Sequence, residues 1–406
     1  MKQKVFFVIG ILFFCGIAYT LFFVYTYFRG AGPAFQKSPE RIENIFDTIG
    51  STEKKVTESV NNTDFPLKIE KGFALSIFAS GIDNARVLAM GPKGNLFVSR
   101  TKDGIISMLE KTDQGVVERE ILRGLKNPHG LAFDIENPNR LYIAEEDRLS
   151  FVDLFTDGSL QKIVDLPKSG RHFTRTLFWN SDNQLYISIG SSCDACHETD
   201  NRYASIMKVN LQEKRLEPYA SGLRNAVFGT IHPVTGDLWV TEMGRDFLGD
   251  NAPPDEINII RKGNFYGWPW YYGKNIRDTQ FEPNTEVLLN APLTESHIDL
   301  PSHVAPLGLA FVPEEGWPEE FWHDLFVAYH GSWNSTTPVG YKIVRLDLDQ
   351  HGNLLGAHDF LSGWLTSDNK ALGRPVDILT QPGGIFYMSD DKAGVIYKGE
   401  ALSLSL

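Results

Sequence analysis

The segment from Gly170 to Gly190 brings a titratable base close to a permanent cation. It holds His172 and Arg175 shortly before an alternating strand, Leu185–Ile189. An imidazole with an unperturbed pKa of about 6.5 is available as a neutral proton acceptor at neutral pH. We therefore predict that His172 is the catalytic base. The alternative, a channel histidine without a chemical role, stays open from the residues alone.

Cationic residues recur at the starts of related segments along the chain. They are Arg86, His129, His172 with Arg175, Arg224 with Asn225, and Arg374. Arginine binds carboxylates through paired hydrogen bonds and stays charged when it loses water. If these segments meet at one axis, the sequence predicts a site for a planar ligand that is multiply carboxylated, or phosphorylated.

A second cluster carries the opposite charge. It begins with Thr241–Asp246 and continues through Asp250, Asp255, Glu256 and Asn258. Oxygen-rich loops in which glycine exposes backbone carbonyls suit Ca²⁺. The sequence predicts a calcium loop here, with a solvated acidic loop as the alternative.

Cys193 and Cys196 form a C-x-x-C pair that could close a small disulfide in an oxidising compartment. The adjacent His197 completes C-x-x-C-H, the pattern of covalent haem attachment. A haem protein would normally surround that motif with a small helical domain, whereas strands flank it here. The disulfide is favoured, and the haem alternative stays open.

A repeated unit organises the chain after residue 69: an apolar strand, a turn rich in Pro, Gly, Asn or Asp, and a second strand. The second strands of its six copies contain Leu96, Leu141, Leu185, Leu238, Leu325 and Ile385. Self-similarity at about 45–60 residues, with almost no helical periodicity, predicts an all-β, six-bladed β-propeller. Because the innermost strands of a propeller line its channel, the cationic segments should converge.

One interval between second strands, Leu238 to Leu325, is much longer than the others. It holds an insertion, residues 264–301, that is rich in aromatic side chains: Trp268, Trp270, Tyr271 and Tyr272. Long loops of this kind tend to be lids or binding walls, and aromatic planes suit sugar rings or a flat cofactor. Alternatively, these rings only fasten the insertion to the propeller.

The N-terminus departs from the composition of the rest. Val5–Phe28 contains no charged residue and is long enough to cross a bilayer of roughly 30 Å. The sequence therefore predicts a single transmembrane helix within residues 1–29, an uncleaved anchor being favoured over a signal peptide. Lys2 and Lys4 precede it, so the positive-inside rule predicts an extracytoplasmic, periplasmic or outer-face location for the remainder. Residues 30–68 read as a polar linker, and residues 69–400 as the propeller.

Charge excludes one class of partner. The chain has 39 basic and 51 acidic residues, a net charge of -12. No basic block appears beyond the first few residues, which argues against nucleic-acid binding.

These segments resemble the pyrroloquinoline quinone (PQQ)-dependent soluble glucose dehydrogenase and sorbosone dehydrogenase family. The resemblance runs from about Gly72 to Lys398. It rests on His172 with Leu177, Tyr186 and Gly190, GLRN at 222–225, DEIN at 255–258, Tyr266–Pro269 and the R-x-x-D segment from Arg374. AYHGSWN (328–334), GSSCDAC (190–196) and SDDKAG (389–394) are more similar to the sorbosone dehydrogenase branch.

The resemblance implies PQQ near the propeller axis, with Ca²⁺ bridging the cofactor and backbone carbonyls. It implies the following roles by position: His172 as general base, Arg224 and Asn225 on the quinone, Arg374 on a carboxylate, and the Gly244 and Arg245 carbonyls on calcium.

Three departures from the family pattern affect these roles. Met243-Gly244-Arg245 replaces a Gln-Gly-Pro run and loses a side-chain oxygen. The quinone-binding Lys of the glucose enzymes has no counterpart near His330, and Val376 stands in place of a second Arg. We expect Arg175, His330 or Lys392 to supply the missing positive charge.

The reaction expected from this resemblance is oxidation of an aldose, or of an osone hydrate, at the anomeric carbon. His172 would take the hydroxyl proton while hydride passes to the quinone, and the electrons would go to a membrane quinone or a cytochrome. Two other classes stay open. A calcium-dependent lactonase or related hydrolase would need carboxylate and Asn ligands at the axis, and a non-catalytic binding propeller would need no cationic ring.

Overall fold

The computed structural model of the chain describes residues 2–37, 59–156, 158–168 and 170–402, with the side chains of the first helix described from residue 12 onward. Two helices, α1 (Lys2–Phe28) and α2 (Gly32–Phe35), come first. Three strands follow before the first complete sheet: β1 (Val60–Asn61), β2 (Lys68–Ile69) and β3 (Phe73–Ser80).

Within the described residues, these three strands and those that follow form six sheets of four or five strands and one two-stranded ribbon. Blade 1 contains β4 (Ala85–Met90), β5 (Leu96–Arg100), β6 (Ile105–Thr112) and β7 (Gly115–Arg123). Blade 2 contains β8 (Gly130–Phe133), β9 (Arg140–Ala144), β10 (Arg148–Asp153) and β11 (Gln161–Asp165). Blade 3 contains β12 (Arg175–Trp179), β13 (Leu185–Ile189), β14 (Ser205–Asn210) and β15 (Arg215–Ser221).

The second half of the domain adds three more blades. Blade 4 contains β16 (Ala226–Ile231), β17 (Leu238–Glu242), β18 (Asp255–Ile260) and, after the ribbon β19 (Tyr271–Tyr272) and β20 (Ile276–Arg277) and the helix α3 (Thr285–Asn290), β21 (Ile298–Leu300). Blade 5 contains β22 (Pro306–Phe311), β23 (Leu325–Tyr329), β24 (Lys342–Leu348) and β25 (Leu354–Ser362), with β2 at its edge. Blade 6 contains β26 (Pro375–Gln381), β27 (Ile385–Asp390) and β28 (Val395–Ala401), with β3 and β1 outside them.

The innermost strands of the blades, β4, β8, β12, β16, β22 and β26, contact one another in a closed ring. The ring is closed by the chain ends, since β3 pairs antiparallel with β28. Ring closure joins the first and last segments of the propeller within one blade. The prediction of a six-bladed β-propeller is therefore confirmed.

Burial depends on the position of a strand within its blade. The second strands β13, β17 and β23 are buried along their whole length, because neighbouring blades cover both of their faces. The outermost strand β7, by contrast, is mostly exposed and carries charged side chains. The apolar side chains of the second strands therefore hold the blades together.

The insertion packs against the propeller through its aromatic residues. Trp268 and Trp270 are buried, and the Trp268 ring nitrogen donates to the carbonyl of Asp194 at 3.2 Å. Tyr271 and Tyr272 are half-buried. The two tryptophans therefore fasten the insertion to the propeller. Of these four aromatic side chains, the two tyrosines keep exposed surface.

The prediction of a transmembrane helix over Val5–Phe28 is not supported. No helix within the described residues is long and apolar enough to cross a membrane. The last turns of α1 instead pack on the propeller, where the ring of Phe28 lies 5.5 Å from that of Trp333 and 5.9 Å from that of Phe247.

Much of the predicted linker, residues 38–58, lies outside the described residues. The two ends of residues 30–68 are described: α2 lies against the propeller, and β1 and β2 join its outer edges.

Candidate active site

Antiparallel pairing brings the start of each inner strand beside the end of the second strand of its blade. Arg175 pairs with Ile189 in blade 3, and Pro375 pairs with Asp390 in blade 6. The loops before the inner strands and after the second strands therefore share one mouth of the channel, here called the site mouth. These loops contain the predicted residues His172, Arg224, Asn225, Gly244, Arg245, His330, Arg374 and Lys392.

The loop after β13 holds the ring of His172 in place. His172 Nδ1 lies 3.1 Å from the carbonyl oxygen of Ser191 and 3.0 Å from its hydroxyl oxygen. That hydroxyl itself donates to the carbonyl of Cys193 at 2.6 Å. Because both oxygens act as acceptors, Nδ1 carries the proton and Nε2 keeps its lone pair.

The charge state of His172 follows from its surroundings. Burial, followed by the positive charges of Arg224 and Arg171, lowers the pKa of His172 well below its usual value. Both effects disfavour the protonated ring. The imidazole of His172 is therefore neutral at pH 7, the charge state that a general base requires.

Gly190 allows this arrangement by leaving room for two neighbours. A Cβ atom at this position would lie 2.6 Å from both His172 Cβ and Asn225 Oδ1. Both contacts are too short for any side chain larger than hydrogen. The glycine that precedes Ser191 therefore lets His172 and Asn225 both lie close to the backbone at position 190.

Cys193 and Cys196 are joined by a disulfide, with their Cα atoms 6.2 Å apart. The favoured prediction is confirmed, and with the two sulfurs bonded to each other neither is available for covalent haem attachment. The four-residue loop that the disulfide closes carries Asp194, which contacts Arg224. The disulfide thus constrains the segment between His172 and the arginine of the next blade.

The guanidinium group of Arg224 is buried and has several protein partners. Its Nη2 lies 2.7 Å from Asp194 Oδ1 and 3.4 Å from Asp246 Oδ2, and its Nε donates to the carbonyl of Asp194 at 2.9 Å. Although burial favours the neutral acid, the charge of Arg224 holds the pKa of Asp194 below its usual value. Asn225, also buried, directs its amide nitrogen toward Met243 Sδ at 3.5 Å.

A second group of charged residues lies at blades 5, 6 and 1. Arg374 donates to the carbonyls of His330 and Gly331, at 3.1 and 2.5 Å. His330 Nε2 lies 3.0 Å from Asp391 Oδ1, and Arg86 Nη1 donates to Asp391 Oδ2 at 2.9 Å. Burial works against the charged form of Asp391, but the interactions with His330 and Arg86 hold its pKa far below its usual value.

His330 does not supply the positive charge that we expected. Burial and the charge of Arg374 lower the pKa of His330 to about 4, in spite of Asp391. The ring is neutral at pH 7 and donates its Nε2 proton to Asp391. Lys392 is the remaining candidate for that charge; burial and Arg374 lower its pKa, and its Nζ donates to the carbonyl of Gln36 at 2.5 Å.

The guanidinium group of Arg175, a predicted cofactor contact, donates to backbone carbonyls of its own loop. Its side chain is completely buried, and its guanidinium donates to the carbonyls of His172, Thr174 and Pro167 at 2.8, 2.9 and 3.3 Å. Burial lowers the pKa of Arg175 to about 10. Arg175 therefore fixes the backbone of the loop that carries His172.

The predicted calcium loop offers hard oxygen donors. Its backbone is held where Gly244 N donates to Asp255 Oδ1 at 2.8 Å, and the side chain of Arg245 turns away to pair with Asp278 at 2.7 Å. Nearby, Glu242 Oε2 is buried without a hydrogen-bond partner among the described residues. Burial and the neighbouring Glu256 raise the pKa of Glu242 well above its usual value, a situation that a bound cation would relieve.

Carboxylates do not converge on this loop in sufficient number to form a cage. Among the described His, Cys, Asp and Glu side chains, the only group of three close enough to share an ion is Cys193, Cys196 and Glu198, and its two sulfurs are joined to each other. Calcium at the loop would therefore depend on the carbonyls of Gly244 and Arg245, with Glu242 nearby, and this donor set fits a hard divalent cation.

The cavities of the propeller do not by themselves identify the site. The site mouth holds a cavity of about 70 Å³ lined by Arg86, Phe173 and Asp391. A larger cavity of about 400 Å³ lies toward the opposite end of the channel, where its lining includes Leu309, Phe311 and Leu379. We assign the site to the mouth, because the histidines and arginines lie there. Since the mouth cavity is smaller than an ordinary ligand pocket, mouth side chains must shift to admit a ligand of cofactor size.

Several residues of the site were not singled out as functional from the sequence. They are Arg171, Ser191, Asp194 and Asp391. Ser191, Asp194 and Asp391 contact His172, Arg224 and His330 respectively, and Arg171 pairs with Asp246 of the predicted calcium loop. Ser191 and Asp194 lie in GSSCDAC and Asp391 lies in SDDKAG, so the motifs marked the segments. The motifs could not indicate which pairs of side chains are in contact.

Comparisons with known proteins support a relation to sugar dehydrogenases. The model of a family described as glucose/sorbosone dehydrogenase matches residues 158–398. An uncharacterized protein of Borreliella burgdorferi is 32% identical over 370 residues, covering 84% of this chain and 93% of that protein. A PQQ-dependent pyranose dehydrogenase of Coprinopsis cinerea is 22% identical over 331 residues, covering 69% of this chain but only 44% of that protein.

Two solved structures share the fold. The PQQ domain of the Coprinopsis cinerea pyranose dehydrogenase, in its holo form, gives a TM-score of 0.68 at 19% identity and covers 84% of this chain and all of that chain. The PQQ-bound aldose sugar dehydrogenase of Streptomyces coelicolor gives a TM-score of 0.59 at 16% identity and covers 82% of this chain and 99% of that chain. At these identities the likeness bears on the fold alone.

Proposed function

The chain belongs to the glucose/sorbosone dehydrogenase family, and from that premise we propose that it is a PQQ-dependent sugar dehydrogenase in which His172 is the general base. The observation that carries this proposal is the neutral His172 ring, fixed at Nδ1 by Ser191 beside Arg224. The proposed substrate is an aldose or an osone hydrate, which is oxidised at its anomeric or aldehyde carbon.

The residues that would hold the cofactor are those of the site mouth. PQQ supplies a two-electron acceptor when it is bound. Lys392, Arg374, Arg224 and Asn225 would contact its carboxylates and polar edge. The carbonyls of Gly244 and Arg245, with the carboxylate of Glu242 nearby, would hold calcium. These assignments rest on the charge and chemistry of the side chains and on their position in matching motifs.

The proton is handled by His172 and Ser191. Nε2 would accept the hydroxyl proton of the substrate as the carbon that bears the hydroxyl is oxidised. The hydrogen bond from Nδ1 to the Ser191 carbonyl fixes the tautomer and stabilises the imidazolium that forms. Arg175 keeps the loop in place through the carbonyl of His172. The low pKa of His172 favours release of the proton before the next turnover.

We also propose an extracytoplasmic location for the propeller. The Cys193–Cys196 disulfide supports it, because disulfides persist in oxidising compartments and are rare in the cytosol. The natural electron acceptor, expected from the sequence to be a membrane quinone or a cytochrome, stays a prediction. The cysteine pair can be tested by mass spectrometry of the protein after alkylation in its native host, where a blocked pair is expected.

The proposed activity is tested by adding PQQ and Ca²⁺ to the purified chain and following dye reduction with a panel of aldoses and osones. We expect dye reduction that requires both PQQ and sugar. Dye reduction without added PQQ would contradict the proposal. So would the absence of dye reduction with every sugar when PQQ is bound. The same preparation, assayed with sugar lactones and calcium alone, tests the hydrolase alternative. That alternative is disfavoured because no three carboxylates meet at the axis among the described residues.

A further inference from the structure

The segment Phe28–Gln36, here called the strap, lies against the loops of the site mouth. The backbone N–H of Gly30 donates to the carbonyl of Ser335 at 2.8 Å. At the other end, Gln36 accepts a hydrogen bond from Ala371 N at 3.1 Å and donates to the carbonyl of Asn369 at 3.2 Å. The strap therefore bridges the loop after β23 and the segment before β26.

The approach of the strap to the propeller is close enough to exclude a side chain at Gly30. A Cβ atom there would lie 2.5 Å from the carbonyl oxygen of Ser335 and 2.9 Å from the carbonyl carbon of Thr336. Both are backbone atoms, which cannot turn aside as a flexible side chain would. Ala31 and Pro33 are buried as well, so the strap is packed rather than loosely laid on the surface.

The strap reaches residues of the site from two sides. The carbonyl of Gln36 accepts a hydrogen bond from Lys392 Nζ at 2.5 Å. Phe28 packs against Trp333, and the guanidinium of Arg171, the residue before His172, lies 5.5 Å from the Trp333 ring centre. The N-terminal segment thus contacts both the predicted cofactor-binding lysine and the wall beside the base.

Lys392 needs such a partner because of its surroundings. Its side chain is largely buried, and the charge of Arg374 repels its ammonium group more strongly than either Asp390 or Asp391 attracts it. A lysine has a flexible four-carbon stem, so repulsion and burial would move an unanchored ammonium away from Arg374. The Gln36 carbonyl accepts from one of its three donor positions, and a ligand carboxylate could accept from another.

We propose that the strap is part of the ligand site, in which it positions Lys392 for contact with a carboxylate of the cofactor. The proposal rests on the proposed function for the identity of that ligand. It makes Gly30 and Gln36 positioning residues, which act through Lys392 and do not touch the reacting atoms. The site is then incomplete without the N-terminal segment.

A double-mutant cycle on the full chain tests this role, with the dissociation constant of PQQ in the presence of Ca²⁺ measured by fluorescence quenching. Gly30→Val displaces the strap and Lys392→Met removes the ammonium. We expect each to weaken PQQ binding by about tenfold, and the double variant to weaken it no further, because both remove the same interaction. Phe35→Ala, at a strap position that is 70% exposed, is the matched control and should bind as the wild type does.

Two results would overturn the proposal. One is a double variant whose PQQ affinity is about a hundredfold weaker, because the two losses would then be independent. The other is tighter PQQ binding by Gly30→Val, because the strap would then hinder the ligand. If Gly30→Val does not fold, Gln36→Ala, which removes the bonds to Asn369 and Ala371, replaces it in the cycle.

A readout without PQQ separates this proposal from the proposed function. Trypsin cleaves after Arg29 and Lys37, at the two ends of the strap. We expect slow cleavage after Arg29 in the wild type and in Phe35→Ala, and at least tenfold faster cleavage in Gly30→Val. Equal rates would refute the docked strap even if PQQ binds. If cleavage after Arg29 is slow but the chain binds no PQQ, the cofactor role of the strap and the proposed function are both refuted. Only the packing of the strap on the propeller would then stand.

Discussion

Two histidines at the same mouth are held in different ways. His172 is anchored by the carbonyl and hydroxyl oxygens of Ser191, which carry no net charge. His330 is anchored by the carboxylate of Asp391, and Arg86 binds the other oxygen of that carboxylate. Both rings are nonetheless neutral at pH 7, since burial and nearby arginines lower the pKa of each.

The comparison shows that a carboxylate partner does not by itself make a histidine cationic. Asp391 is shared with Arg86, so its charge is already compensated before His330 is considered. Burial and Arg374 then outweigh it. A neutral ring with a fixed Nε2–H suits a structural donor, whereas His172 keeps its Nε2 lone pair beside Arg224. We infer that His172 does the chemistry and His330 holds the mouth together.

The largest expected effect separates the two rings directly. His172→Gln should lower kcat by about a thousandfold, the middle of the usual range for loss of a general base, with less than a threefold change in the PQQ dissociation constant. His330→Gln should lower kcat by less than tenfold. Steady-state kinetics and PQQ titration of both variants check this. A comparable loss of kcat in the two variants would remove the distinction.

Asp391→Asn should break the second cluster rather than the catalytic base. It leaves the largely buried Arg86 without its carboxylate, and we expect a loss of about 3 kcal/mol in the free energy of unfolding. Urea unfolding measures it. Asp165→Asn, which removes an exposed partner of Lys162, is the control and should leave the free energy of unfolding nearly unchanged. Similar losses in the two variants would mean that Asp391 is not a buried counter-charge.

The pH dependence of stability should carry the signature of His330. Its pKa in the folded state, about 4, lies below the unfolded value of about 6.5. The unfolded chain therefore binds more protons between these values, and the contribution of His330 to stability rises across this range and is complete above it. The stability of the wild type minus that of His330→Gln should increase from pH 4 to 6.5, by up to roughly 3 kcal/mol. Urea unfolding at a series of pH values tests the sign, and a difference that falls with rising pH would contradict it.

The smallest expected effect concerns the anchor of His172. Ser191→Ala keeps the carbonyl but removes the hydroxyl acceptor, so kcat should fall by about three- to tenfold, equivalent to one hydrogen bond of about 1 kcal/mol. The PQQ dissociation constant should not change. Ser192→Ala is the matched control, because its hydroxyl bonds to Glu198 instead. An effect at Ser192 equal to that at Ser191 would indicate a general loosening of the loop.

The repeats predicted the fold well, because each blade of the propeller is built from a local pattern of strand, turn and strand. The same pattern placed His172, Arg224 and Arg374 at one mouth, since each lies at the start of an inner strand. Charge states were harder to predict. Arg175 and His330 have the right residue type and position, but only the surrounding carbonyls, carboxylates and arginines determine whether they can act as cations toward a ligand.

The N-terminus shows the other limit of sequence reasoning. Composition predicted a transmembrane helix, and composition carries no information about Trp333 and Phe247, on which the last turns of α1 pack. Nor could it show that Gln36 meets Lys392 across more than 300 positions of sequence. Contacts of that range depend on the closed ring, which places the loops before β26 and after β27 beside Gln36.

The central claim, that the site mouth and not the larger cavity of the channel holds the cofactor, is tested most directly by PQQ titration of three proteins. Arg374→Met removes a mouth cation, and Arg119→Met removes an exposed one on the outer strand of blade 1. We predict that Arg374→Met weakens PQQ binding by at least tenfold, while Arg119→Met binds as the wild type does. Equal affinity of all three proteins would contradict the account.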